Sequence, residues 1–173
     1  MNKLKYLGYS VVFQEVPDEI TLTINISGCP HKCEGCHSEY LWEYEGNYIS
    51  DDLDDLIKKY KGLITCVCFM GGDQNQKELT DLLILVHKYR LKTALYTGRD
   101  FMSDLHIRVL GNLDYCKIGH YDSNRGGLDN SNTNQRMLKW NWETNQWNDI
   151  THKFWKESKI NDSHSSNKRQ GTS

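Results

Sequence analysis

At 173 residues, with 38% hydrophobic residues, 25% charged residues and a formal net charge of −2, the chain has the size of one domain able to bury a real core. That balance excludes an overall electrostatic bias toward nucleic acid or a membrane surface. No apolar run approaches the ~18–20 residues of a membrane span, no signal-type segment follows the start, and six cysteines in that setting indicate a reducing compartment, the cytoplasm being the expected one.

Residues 7–13 read as a first strand, Pro17-Asp18-Glu19 as a turn, and the alternating run of residues 21–27 as a second strand, together an edge hairpin at the N-terminus. Gly28 terminates it, and the stretch Cys29-Pro-His-Lys-Cys33-Glu-Gly-Cys36-His37 follows. Residues 39–44, rich in aromatics, are expected to form a short helix closed by Gly46-Asn47. A second helix starts at Ser50, with Asp51 and Asp52 at the positive end of its dipole. Leu53, Leu56, Ile57 and Tyr60 make one apolar stripe along it. Residues 63–70 are nearly continuously apolar, as a parallel strand covered on both faces requires.

After Gly71-Gly72-Asp73 a helix is expected over residues 76–89 with Leu79, Leu82, Leu83, Val86 and Tyr89 on one side, a strand over 91–97 ended by Gly98, a helix capped by Asp100 and running through Leu110, and a strand over 113–118. The alternation implies an α/β fold with a mostly parallel sheet. Four parallel strands and a hairpin are too few for an eight-stranded barrel, so an open or partial barrel fits. Residues 120–135, rich in Asn, Gly and Asp, read as a long loop. Residues 136–142 and 147–150 flank a turn and suggest a terminal hairpin beside Trp140, Trp142, Trp147 and Trp155. The expected organisation is one domain over 1–155 and a disordered tail over 156–173.

Three closely spaced thiols can converge on one centre only if their loop wraps around it. A [4Fe–4S] cube held wholly by protein takes four thiolates, so three leave one iron open. Two other readings stand beside this: a Cys3His zinc site recruiting His37 or His31, and three reduced thiols without a metal. Cys66 and Cys68 point to one face of a strand and Cys116 lies on a later one; small apolar packing is the expected role, beside a second cluster that lacks a closely spaced ligand set. His87 and His106 fall within helical patterns, as surface residues do. Ligands of a parallel sheet sit beyond its carboxyl ends. The cysteine loop, Gly71-Gly72-Asp73, Thr97-Gly98 and Gly119-His120 all fall at such ends. Gly71-Gly72 allows close backbone approach to a ligand, and Asp73 either accepts from a ligand ammonium or is the solvated end of a tight turn.

The C-x3-C-x2-C spacing after a strand resembles the signature of radical S-adenosylmethionine enzymes. That resemblance implies that Cys29, Cys33 and Cys36 hold a [4Fe–4S] cluster whose open iron chelates S-adenosylmethionine. It implies that Gly71, Gly72 and Asp73, where a Gly-Gly-Glu type motif is usual, meet its amino group, and that Gly35, Cys36 and His37 lie near its adenine. Residues 113–119, Tyr121, Gly126-Gly127-Leu128 and Thr133-Asn134-Gln135-Arg136 are similar to the anaerobic ribonucleoside-triphosphate reductase activating proteins, a family with an incomplete radical-SAM barrel. His120 stands where that family has proline. Membership would make the chain an oxidoreductase that leaves a glycyl radical on the large reductase subunit, with a flavodoxin-type electron donor as second partner. No nucleic acid, membrane or side-chain general acid or base is implied. Thr97, Lys117, Asn134, Gln135 and Arg136 are then rim or partner contacts, the last three serving as a substrate dock or as loop structure. Two other classes remain: a radical-SAM enzyme acting on a small molecule, as in deazapurine synthesis, and a zinc-binding interaction module.

Overall fold

Strand β1 (Lys5–Val12) pairs antiparallel with β2 (Thr21–Ile26), Tyr9 facing Ile24, and on its other side with the two-residue β3 (Asn47–Tyr48). The computed structural model describes residues 2–155, so the expectation for 156–173 lies outside the described residues. Helix α1 (Ile49–Lys59) has Asp51 and Asp52 in its first turn and Lys58 and Lys59 in its last, both suited to the helix dipole. It buries Ile49, Leu53, Leu56 and Ile57. Strand β4 (Cys66–Met70) leads through a short turn to α2 (Gln76–Lys88). The Asn75 side chain caps α2 by accepting from the Glu78 N–H, and Glu78 accepts in return from the Asn75 amide and the Leu4 N–H. Strand β5 (Lys92–Tyr96), the four-residue α3 (Ile107–Leu110) and β6 (Tyr115–Ile118) follow, then the hairpin β7 (Arg136–Asn141) and β8 (Gln146–Asp149).

The strands form one eight-stranded open sheet in the order β3-β1-β2-β4-β5-β6-β7-β8. The four central strands, β2, β4, β5 and β6, are parallel, and antiparallel hairpins extend both edges. The sheet is therefore mixed, with its parallel part in the middle. Among the described residues no helix is long and apolar enough to cross a membrane.

The expected helix from Asp100 to Leu110 is largely absent: a 3-10 turn over Met102–Asp104 and α3 replace it. Asp100, expected as its cap, instead accepts from the backbone N–H of His120 and contacts its ring at 2.7 Å. The expected helix over 39–44 is a single 3-10 turn, Glu39–Leu41, which buries Leu41 alone.

Two cores lie on opposite faces of the sheet. Leu22, Ile24, Ile26, Val67, Phe69, Leu95 and Cys116 pack against the helices. Cys66, Cys68, Ala94, Tyr115 and Met137 face the other way, under Val16, Leu128 and Ile150. Cys116 is thus separated from Cys66 and Cys68 by the sheet, and the three thiols serve as small apolar core side chains.

Candidate functional site

The carboxyl ends of the parallel strands open into a cleft of about 1160 Å³. The thiols of Cys29, Cys33 and Cys36, all partly exposed, line it together with Met70, Gly71, Asp73, Tyr96, Thr97, Gly98 and Lys117. The cysteine loop leaves β2 through Gly28, whose φ of +75° suits glycine. It is pinned by Gly28 and Cys29 N–H groups donating to the Glu43 and Leu41 carbonyls at 3.0 and 2.9 Å. Gly35 has φ +71° and turns the loop so that the His37 ring meets the Tyr121 ring edge-on, 5.6 Å between centroids.

Gly71, at φ +99°, lines the cleft and donates to the Tyr96 carbonyl at 2.9 Å. Gly72, at φ +110°, turns inward beside Leu4, Leu79 and Ile26. The Asp73 carboxylate is only 3% exposed. Burial pushes its pKa up, but the His31 and Arg99 side chains outweigh that and hold it below the usual carboxylate range. Arg99 donates through Nε to Asp73 at 2.6 Å, and His31 Nε2 stands 3.5 Å away.

Lys117 is 8% exposed, its ammonium donating to the Gly119 carbonyl at 2.7 Å and approaching the Thr97 carbonyl at 3.4 Å. Burial lowers its pKa to about 8, the Cys33, Cys116 and Cys36 thiols acting in the opposite sense. Burial raises the Cys29 thiol, partly countered by the backbone N–H groups of His31 and Lys32.

The Thr133–Arg136 segment acts as a staple for its loop. Thr133 donates to the Gly126 carbonyl, Asn134 to the His120 carbonyl at 2.9 Å, and Arg136 to the carbonyls of Thr133 and Gln135. Gln135 also lines the cleft. Proline at position 120 would lack the N–H that His120 gives to Asp100, so this departure has a local structural use.

One wall of the cleft escaped sequence reasoning. Residues 13–15, 17 and 18 line it, with Lys153 and Phe154 alongside. The Tyr96 hydroxyl donates to the Glu15 carbonyl across 81 positions, and Lys153 pairs with Asp18. No local periodicity signals contacts of that range. Sequence reasoning singled out His31 only as a possible zinc ligand and Arg99 not at all.

Among the described residues no three His, Cys, Asp or Glu side chains stand close enough to hold one metal ion together, which does not suit a Cys3His zinc site. A multi-iron cluster asks something different, because each thiolate takes its own iron. Three partly exposed thiols on one wrapped loop, open to a cleft, fit such a group.

A family model described as 4Fe-4S single cluster domain matches residues 20–148. The chain is also 30% identical over 112 residues to the anaerobic ribonucleoside-triphosphate reductase-activating protein of Enterobacteria phage T4, covering 57% of this chain and 69% of that relative. No solved structure matches. The chain belongs to the 4Fe-4S single cluster domain family, in the branch of the anaerobic ribonucleoside-triphosphate reductase-activating proteins.

Proposed function

We propose that the chain is a radical S-adenosylmethionine activating enzyme for the large subunit of an anaerobic ribonucleoside-triphosphate reductase. Cys29, Cys33 and Cys36 would hold a [4Fe–4S] cluster and leave one iron for the amino and carboxylate groups of S-adenosylmethionine. When bound and reduced by one electron from a flavodoxin-type donor, the group would supply reductive cleavage of S-adenosylmethionine to methionine and a deoxyadenosyl radical, which would leave as deoxyadenosine after taking a hydrogen atom from a reductase glycine.

One observation carries this reading: the three thiols share a single cleft with Gly71, Thr97, Gly98 and Lys117 at the carboxyl ends of the parallel strands. The protein's own part is to bind, orient and exclude water. The Gly71-Gly72 turn, whose positive φ angles favour glycine, offers its backbone to the ligand amino group. Lys117 sets a buried positive charge beside Cys33 and Cys36, suited to the ligand carboxylate and to the negative charge of a thiolate-held cluster. The Gly35–His37 backbone and the paired rings of His37 and Tyr121 form the seat for adenine. Asn134, Gln135 and Arg136 hold the 119–135 loop at the cleft mouth, where the partner docks. The open sheet works as an incomplete barrel within one domain, residues 1–155, because a closed barrel would exclude a protein loop. The reducing cytoplasm suits such a cluster, and the reading calls for neither nucleic acid nor membrane as partner.

The test is anaerobic reconstitution with iron and sulfide, reduction, and electron paramagnetic resonance with and without S-adenosylmethionine, followed by addition of the reductase. A [4Fe–4S]⁺ signal that changes on adding S-adenosylmethionine, then a glycyl-radical doublet on the reductase, is expected. Stoichiometric zinc and no cluster would remove the reading. Deoxyadenosine formed without any radical on the reductase would turn it toward a small-molecule substrate.

A further inference from the structure

The cysteine loop touches the rest of the cleft through His31, which lies between the first two thiols and which neither the cluster nor the cosubstrate requires. Its ring fills the space beside Gly98, just after the end of β5: a Cβ built there would stand 2.6 Å from His31 Cγ and 2.7 Å from Cδ2. No side chain larger than hydrogen is compatible with that seat. His31 Nε2 is buried without a hydrogen-bond partner among the described residues. Its charged neighbour is the Asp73 carboxylate at 3.5 Å, just outside hydrogen-bonding range. Asp73 is itself fixed. Arg99 donates to its carboxylate at 2.6 Å and to its backbone carbonyl at 3.2 Å, and the Arg99 N–H is in turn held by the Thr97 hydroxyl at 3.0 Å.

We infer that Asp73 and Gly98 form a latch for the cysteine loop, with His31 as its bolt, so that Asp73 acts as a positioning residue for the iron site and not as a ligand contact. This rests on the cluster reading of the three thiols. The geometry supports it in three ways. The Asp73 carboxylate is aimed at the loop and at Arg99. The imidazole has one polar atom still to satisfy, and a small movement of the loop toward β5 as it closes on a cluster would convert the 3.5 Å approach into a charge-assisted bond. The bond would join the segment carrying Cys29 and Cys33 to the two strand ends beneath it, β4 through Asp73 and β5 through Gly98 and Arg99. A cluster held by three thiolates of one loop is lost when that loop opens, so the latch sets the rate at which iron escapes.

The experiment uses the full chain, reconstituted with iron and sulfide and then challenged with a ferrous chelator in the absence of S-adenosylmethionine and reductase. His31→Ala, Asp73→Asn and Gly98→Ala are each expected to release iron at least tenfold faster than the unaltered chain. The His31→Ala/Asp73→Asn double variant should release it no faster than either single one, because the two act through one contact. The melting temperature of cluster-free His31→Ala should match the parent, which separates a latch from general loosening of the fold. Should Asp73→Asn fail to fold, His31→Ala and Gly98→Ala still decide the matter. Release rates for these two equal to the parent would overturn the latch. So would an Asp73→Asn variant that keeps its iron but loses the spectral change on adding S-adenosylmethionine while His31→Ala keeps both, since Asp73 would then touch the ligand. A parent chain that takes up no cluster removes the reading underneath, an outcome distinguishable from a parent that loads normally beside indifferent variants.

Discussion

Consider replacing Lys117 by methionine in the cluster-free protein. The ammonium is 8% exposed, and burial lowers its pKa from the ordinary 10.5 to about 8. At about 1.36 kcal/mol per pH unit, that interval is about 3 kcal/mol of folding free energy spent on keeping the charge inside. The sign follows from proton counting. Below pH 8 the lysine is protonated in folded and unfolded chains alike, and the whole cost is present. Between pH 8 and 10.5 the folded protein sheds a proton that the unfolded chain keeps, so stability rises with pH through that window. Methionine does not titrate. The stability of Lys117→Met relative to the parent should therefore fall by about 2 kcal/mol between about pH 7 and about pH 9.5. Urea unfolding of both proteins, anaerobic and with reductant, measures it, and the titration of tyrosines and thiols distant from position 117 cancels in the difference. A difference independent of pH would refute the argument, because it would mean that the ammonium is not desolvated. If the charge is kept for its role in the cleft, the stabilised variant should also lose the spectral response to S-adenosylmethionine.

Three further outcomes follow from the same coordinates. Glu19→Ala removes a buried carboxylate that accepts from Lys92, from Thr65 at 2.7 Å and from Tyr115 at 2.8 Å, and should cost about 3 kcal/mol in urea unfolding at neutral pH. Its pKa is held below the ordinary value, its hydrogen bonds outweighing desolvation, so that cost should shrink as the pH falls through the carboxylate range. Gly119→Ala puts a Cβ 2.9 Å from Gln135 Cα at a φ of +99°; a loss of about 1–3 kcal/mol is expected, read as a lower melting temperature. Cys33→Ala, on a partly exposed loop, should leave the melting temperature of the cluster-free chain within about 0.5 kcal/mol equivalent of the parent while abolishing stable iron retention after reconstitution, measured by iron content after gel filtration.

Legibility in the sequence followed the range of the interactions. The alternation before Gly28 marked β2, the apolar run ending at Met70 marked β4, and the stripe of Leu79, Leu82, Leu83 and Val86 marked α2, because each signal is local periodicity. The convergence of the cysteine loop with Gly71 and Thr97-Gly98 was also legible, since it follows from the order of parallel strands. What could not be read came from distant partners. Asp100 looks like a helix cap until His120 is placed beside it. Pro17-Asp18-Glu19 looks like a plain turn until Lys153 is seen to hold it. The terminal hairpin was expected, but not that it would join β6 and widen the sheet. Asp73 read alone suggests a ligand contact or a solvated turn end; its burial beside Arg99 and His31 depends on residues 26 and 42 positions away.

The cleft wall made by residues 13–18 has a consequence for the order of assembly. Its ties are among the most sequence-distant in the protein: Asp18 to Lys153 spans 135 positions and Glu15 to Tyr96 spans 81. The core between helices and sheet is built largely from neighbouring strand–helix units, whose closure entropy is smaller. The helix-side core can therefore form before this wall, which must wait for the last described turn of the chain, Thr151–Phe154. During synthesis the site would stay open on that side until the end, with the three thiols accessible to iron delivery while the scaffold beneath them is already set. Native-state hydrogen exchange would show the same order in reverse, with the amides of residues 13–16 and 18 opening well before those of β4.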